Sequence, residues 1–378
     1  MCKFDVIENA LRAHRYNPDV LAARAVLAAI AAHRLKGQPV WPMIVAPPGA
    51  GKTELIEGLN GQPNVKFIDS LTPQTFISGY FEEEGGRKKK PTDGPAGLLH
   101  RLGSDATIIY PDFSTVLGMK HETKAQILAQ MRRIYDGTLS KEFGTPGEAA
   151  EREWHGRITF VVAVTPEIDR NYSVFQSLGE RFVMIRWPRA GGVEAALAAM
   201  NQESGEARAE LRGAVKELFD NLPSFEPTIP QECQIAIASL AEVVVRARTH
   251  IGREGYKKEM VYVPEAESST RLAQQLAQLA KGSALLDGRD TVNETDMDVV
   301  RRAGLDCIPP ARRRVLEGLA TGYPGEPLPK STLSYTREEL HAHGLLADDF
   351  SLTDLARECF VKAGFTPSLL GPLEREAA

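Results

Sequence analysis

Cysteine is scarce and scattered. The four cysteines of this 378-residue chain, at positions 2, 233, 307 and 359, form no CxxC pair. Neither a disulfide framework nor a zinc site is expected, and the thiols read as reduced. No apolar run approaches the ~18 residues a membrane span requires. The opening stretch MCKFDVIENALRAHRYNPDV has no signal-peptide core. These absences predict a cytoplasmic protein with no membrane partner. An excess of one charge is also lacking: 45 Lys and Arg face 50 Asp and Glu, a net charge of −5. That balance gives no global attraction to nucleic acid or acidic membranes, so any DNA contact must come from local basic patches. What is present is ordinary for globular chains, 43% hydrophobic and 25% charged residues, over a length that suits two or three domains.

Apolar strand-like segments at 41–45, 65–71, 106–110, 157–165 and 181–187 alternate with helical patterns at about 19–34, which Gly37 ends, and at 124–137. The alternation predicts an α/β fold, a parallel sheet covered on both faces. That domain is assigned to residues 41–190, after a helical segment 1–40 without a readable role. Beyond Pro188 the texture is helical, predicting an all-α lid over 191–305. Its long amphipathic helix, STRLAQQLAQLAKGSALLDGR, is expected to open on a Ser/Thr cap. A third small unit, 306–378, follows.

The stretch PMIVAPPGAGKTELIEGL carries the strongest chemical signal. Ala46, Gly51, Lys52 and Thr53 fit [A/G]-x4-G-K-[S/T], a P-loop. Gly49 and Gly51 let backbone N–H groups converge on a phosphate without a Cβ in the way. Lys52 brings a cation to the β/γ oxygens, and the Thr53 hydroxyl suits Mg2+. Pro48, Gly49, Ala50, Gly51, Lys52, Thr53 and Glu54 are therefore the predicted ATP-binding residues.

Hydrolysis needs further parts. An apolar strand ending in an acid should lie beside the P-loop strand, and TIIYPDF supplies Asp112, which with Thr53 would hold the metal. A polar residue should end a neighbouring strand and orient water, and VVAVTP supplies Thr165. An arginine should reach a γ-phosphate in the next subunit, and SLGERF supplies Arg181. A lid arginine should touch the nucleotide of its own chain, and STRLAQQL supplies Arg271. Plainer readings stand beside these: a turn residue after Pro111, a strand end before Pro166, a surface arginine, a solvent-facing helix position.

In this order the parts resemble the AAA+ ATPases, and most closely the branch of MCM helicases and MoxR-type ATPases. The likeness spans about 40–305. It rests on the Asp112–Phe113 pair, on ILAQMRRIYDGTLSKEFG before the sensor strand, on AVTP, on Glu180-Arg181-Phe182, and on GRDTVNETDMDVVRR after the lid helix. The resemblance implies ATP and Mg2+ as cofactors and a homo-oligomer, a hexameric ring or helical assembly, with Arg181 acting in trans. One departure matters. The family's Asp-Glu pair has one carboxylate here: Asp112 stands either at the Glu position after Pro111 or at the metal-side position with no base after it, so it serves both roles and slow turnover is expected without a stimulating ligand.

Two segments stand where substrate-gripping loops belong. SGYFEEEGGRKKKPTDG places Tyr80 and Phe81 before the basic run Arg87–Lys90, including Lys88 and Lys89, and TLSKEFG holds Lys141 near an expected hairpin tip. Lysines there would follow a phosphate backbone, and aromatics would stack on bases. The alternative is a solvated surface loop. The C-terminal unit, with helices in PPARRRVLEGL, SYTREELHAHGLL and LTDLARECFVKAG, looks like a winged helix. Arg312, Arg313 and Arg314 would face phosphates, and YTREEL would open the groove helix; Glu338 and Glu339 argue for a protein contact instead. The expected function is a DNA-remodelling or translocating ATPase of initiator, helicase or loader type. The alternatives are a MoxR-like protein-remodelling ATPase and a nucleotide-gated transcriptional regulator.

Overall fold

The computed structural model describes residues 4–14, 18–50, 52–78, 83–84, 87–88, 97–145, 148–171, 181–188, 192–200, 204–255, 258–322 and 327–365. The strands in chain order are β1 (Trp41–Val45), β2 (Val65–Phe67), β3 (Glu83–Glu84), β4 (Arg87–Lys88), β5 (Asp105–Tyr110), β6 (Thr138–Thr145), β7 (Glu148–His155), β8 (Arg157–Val164), β9 (Phe182–Arg186), β10 (Gly252–Arg253) and β11 (Met260–Tyr262). Five of them make a parallel sheet in the order β2-β5-β8-β1-β9. The others form two-stranded antiparallel ladders, β3 with β4, β6 with β7 and β10 with β11.

The α/β expectation holds at this level, with one correction. The acid-bearing strand β5 does not lie beside β1, because β8 runs between them, pairing Tyr110 with Val162 on one side and Val162 with Met43 on the other. The physical reason is burial. RITFVVAV is the most continuously apolar strand and is buried from Ile158 to Val164, so it takes a central place where both faces are covered.

The N-terminal segment joins this core. Asp19 caps the helix Val20–Ala31 by accepting the Ala22 N–H at 2.8 Å. Residues 22–31 are all buried, because the helix packs on β1 and β9 and on the helices Thr270–Leu286 and Glu294–Asp306. A helix apolar all round fits such a sandwiched place. Arg24 alone carries charge there. Its Nε donates to Ser283 Oγ (2.8 Å), and its guanidinium pairs with Asp287. The helices cross most closely at Gly282, where a Cβ would overlap the Ala28 carbonyl. Gly282→Ala is expected to push them apart and destabilise the fold by about 1–3 kcal/mol, read as a lower melting temperature; an unchanged Tm would refute the close approach.

Two caps follow different rules. Helix Thr270–Leu286 was expected to open on a capping hydroxyl, but Ser269 makes no side-chain cap bond; the Thr270 N–H instead meets Ser268 Oγ at 3.4 Å. Helix Glu294–Asp306 opens on a reciprocal box, Asn293 accepting from the Thr295 N–H and Asp296 from the Asn293 N–H.

The C-terminal helices Pro310–Thr321, Lys330–Ala342 and Asp354–Lys362 are joined by an isolated Leu346–Leu352 bridge. Asp354–Lys362 packs on the helix Gln231–Arg248, while Pro310–Thr321 packs on Lys330–Ala342 and on Glu294–Asp306. Arg312 ties the joint, donating to the carbonyls of Ala247 (2.9 Å) and Thr249 (2.6 Å) and to Glu339 (3.0 Å). A ring nitrogen of His343 lies 3.1 Å from the Thr249 carbonyl oxygen. Burial, then the Arg312 charge, holds that imidazole below the ordinary histidine value. Among the described residues, no helix is long and apolar enough to cross a membrane.

Candidate nucleotide site

The turn after β1 begins at the C-terminal edge of the sheet. The Ala46 N–H donates to the Val164 carbonyl at 3.0 Å, and the Ala50 N–H closes the turn on Pro47 O at 3.3 Å. Gly49 takes φ = +76°, a conformation an L side chain rarely adopts, and a Cβ there would meet nothing within 4 Å. The turn therefore faces open space, as a phosphate cradle requires. Pro48 and Gly49 are exposed and Ala50 is buried. Gly51 lies outside the described residues. Lys52, Thr53 and Glu54 open the helix Lys52–Glu57, but their side chains also lie outside what is described.

Thr165 follows β8 on the strand directly beside the cradle, and Asp112 follows β5 one strand further. The two are laced together. The Phe113 N–H donates to Ala163 O (2.9 Å), and the Thr165 N–H donates to Ser114 Oγ (3.2 Å). Thr115 Oγ1 donates to Asp112 O (2.8 Å) and meets the Tyr110 hydroxyl at 2.5 Å. Phe113 is fully buried while Asp112 is exposed, so the carboxylate rather than the aromatic ring meets solvent at this edge. Ser114, which sequence reasoning missed, links the turn of Asp112 to the end of β8. Nothing in a lone Ser after Phe announces that role.

Arg181 and Arg271 are together, and far from the cradle of their own chain. Arg181 precedes Phe182, which pairs with Trp41 at the start of β1. About six residues at ~3.3 Å each, roughly 20 Å, separate that level from Ala46. Arg181 is only 9% exposed. Its Nη2 donates to both oxygens of Asp136 (3.1 and 3.0 Å), and its guanidinium lies 5.5 Å from the Tyr135 ring centre. Gln275 Nε2, one helical turn after Arg271, donates to Arg181 O at 2.7 Å. Arg271 is half-buried and pairs with Glu267 at 3.4 Å. Burial pushes the Tyr135 phenol up to about 12, with the charges of Arg271 and Arg181 acting against it.

Arg271, expected to touch the nucleotide of its own chain, lies away from the turn after β1. Its helix runs antiparallel to Val20–Ala31, with Gln278 Nε2 donating to Lys36 O (2.8 Å) and Ser283 meeting Arg24, so its first turn falls at the N-terminal edge of the sheet. Arg181, expected to reach a γ-phosphate in the next subunit, is folded inward in the single chain.

Most of the predicted DNA contacts are engaged within the chain. Lys141 is paired opposite Arg152, four residues short of the strand end, not near the hairpin tip. Its ammonium donates to Pro73 O (3.1 Å) and Ile77 O (3.4 Å), and burial lowers its pKa. Arg312 is buried as described above. Arg313 pairs with Asp306 and with Glu317 (3.0 Å), and Arg314 is also engaged within the chain. The helix expected to enter a groove is Lys330–Ala342, and Arg253 occupies one face of it. Its guanidinium stacks 4.8 Å from the Tyr335 ring and pairs with Glu338 (3.1 Å) and Glu339 (2.8 Å). Arg312 is paired while buried, and Arg253 and Arg313 are paired while partly buried. Lys88 is described only as part of β4; its side chain, Lys89, Tyr80 and Phe81 lie outside the described residues.

No protein-family model and no curated protein matches this sequence.

Proposed function

We propose that the chain is an AAA+-type ATPase resembling the MCM/MoxR branch, assembled head to tail into a hexameric ring or a helix. ATP would sit in pockets shared between neighbouring copies. One observation carries the reading. The P-loop turn, Thr165 and Asp112 share the C-terminal edge of one parallel sheet, while Arg181 and Arg271 share the opposite edge. A head-to-tail contact joins opposite edges of two copies, and such heterologous contacts build rings or filaments.

Bound ATP supplies the phosphoanhydride, and Mg2+ the counter-charge on its oxygens. Lys52 and the backbone N–H groups of 49–51 would hold the phosphates, and Thr53 and Asp112 would hold the metal. Thr165 would orient the attacking water and Asp112 accept its proton. Arg181 and Arg271 of the next copy would neutralise the outer phosphate. Pro111, where a second carboxylate would help, ligates nothing, so basal turnover is slow.

The work coupled to this site is proposed to be DNA remodelling or translocation, gripped by the segment containing Lys88 and Lys89. A second reading, protein remodelling with the winged-helix-like unit as adaptor, is favoured by the in-chain pairing of Lys141, Arg312 and Arg313. Turnover measured against single-stranded and duplex DNA separates them. Stimulation that falls steeply with salt is the expected result. Indifference to DNA, with one protein partner co-purifying, supports the second reading, and ATP-driven assembly without turnover supports transcriptional switching. Lys52→Ala is expected to abolish ATP binding; intact affinity would remove the nucleotide site altogether.

A further inference from the structure

We propose that Asp136 is a positioning residue for Arg181: in the single chain it holds the guanidinium folded against its own fold, and assembly requires that hold to be released. The proposal rests on the shared-pocket reading above. One nitrogen of Arg181 already spans both oxygens of Asp136 at 3.1 and 3.0 Å. Held there against the Tyr135 ring, with its side chain only 10% exposed, the guanidinium is not presented to a neighbour's outer phosphate.

The arrangement suits a releasable hold. The Asp136 side chain is 45% exposed, against 10% for that of Arg181, so the pair sits at the rim of the fold and opens outward without unfolding it. The main chain does not need to move. Phe182 is fixed in the sheet beside Trp41, and Arg181 O is held by Gln275. Only the side chain swings. Asp136 itself follows the last turn of the helix His121–Tyr135, its N–H donating to Arg132 O at 3.1 Å, so the carboxylate is presented from a rigid element. Arg271 leans on Glu267 in the same region, and both cations of this edge are thus engaged within their own chain.

Energetically, the hold lowers the fraction of chains ready to complete a neighbour's pocket. Apparent assembly affinity falls by that fraction. The incoming triphosphate, with several negative oxygens, outcompetes a single half-exposed carboxylate once two copies meet.

The test compares turnover per subunit across a range of full-length protein concentrations for wild type, Asp136→Asn, Asp136→Glu and Arg181→Ala. Sedimentation of the same proteins with a non-hydrolysable ATP analogue provides a readout independent of hydrolysis. Asp136→Asn is expected to reach half-maximal turnover, and to assemble, at a concentration about 5- to 150-fold lower. Its plateau should be no lower than that of wild type. Asp136→Glu should return both midpoints towards wild type, a rescue that a purely structural role would not predict. An unchanged or raised midpoint for Asp136→Asn overturns the proposal. So does a lowered plateau, which would mean that Asp136 supports the finger in the assembled state. If Arg181→Ala matches wild type at every concentration, the shared pocket itself fails and the proposal falls with it. If Arg181→Ala is inactive while Asp136→Asn matches wild type in both readouts, only the hold is wrong.

Discussion

An Arg181→Ala chain is expected to bind ATP as tightly as wild type and to turn it over roughly 10³-fold more slowly. The geometry separates the two effects. Arg181 lies at the N-terminal edge of the sheet, about 20 Å from the cradle of its own chain, so its loss does not reach bound nucleotide there. On the shared-pocket reading it removes instead the planar cation supplied to the neighbouring pocket. Arg181→Lys should recover little of the lost rate, because a point-like ammonium does not reproduce the guanidinium fork. Mixing Arg181→Ala with Lys52→Ala subunits should restore part of the activity, since some interfaces then unite an intact cradle with an intact arginine. Mixtures as silent as either parent would end the shared-pocket reading. Because Arg181 is buried against Tyr135 and Asp136, the melting temperature of the variant has to be followed alongside, so that lost turnover is not mistaken for lost folding.

The second large effect concerns Asp306. Its side chain is fully buried and gathers three partners. Oδ2 accepts the Arg186 N–H (2.8 Å) and Arg302 Nε (2.9 Å), and Oδ1 pairs with Arg313. Arg186 in turn donates through Nε to Asp306 O (2.9 Å) and grips Asp169 with both Nη atoms (2.9 and 2.7 Å). Arg302 reaches Asp19, the cap of the N-terminal buried helix, at 2.8 Å. One carboxylate therefore joins β9, the helix Glu294–Asp306, and the first helix of the C-terminal unit. Asp306→Ala leaves three donors around an empty acceptor site. The expected cost is about 3–5 kcal/mol, the range for removing one partner of a buried ion pair. Denaturant unfolding followed by tryptophan fluorescence would read it as a lowered midpoint with similar slope. A loss below about 1 kcal/mol would mean that the three arginines find other partners or water on their own.

Strands, helices and the turn after β1 are legible because each depends on local chemistry. The apolar run at 157–165 appears as β8, shortened by one residue, and the pattern at 124–137 appears as the helix His121–Tyr135. Gly37, expected to end the first long helix, has φ = +107° and lies just past its 3-10 extension. The glycines of the P-loop were read for backbone freedom, and Gly49 uses it. Arginines were read least well. Arg312 and Arg313 form a basic run in one dimension, but helical geometry sends them to different acids and carbonyls. The edge at which Arg271 lies is not readable from periodicity, which identifies a helix face without giving the direction in which the helix runs across the sheet.

The amino-acid sequence by itself determined the α/β alternation, the position of the glycine-rich turn after β1, and the acid and threonine that follow two of its strands. Hydrophobic period, glycine backbone freedom and residue spacing act within a few positions of chain. The tertiary structure alone decided that β8 separates β5 from β1, that Arg181 and Arg271 share the edge opposite the cradle, and that most of the basic residues offered to DNA are spent inside the fold. Strand order and ion-pair partners join residues tens to hundreds of positions apart. They follow from competition for burial and for carboxylates across the whole molecule, which no local pattern records.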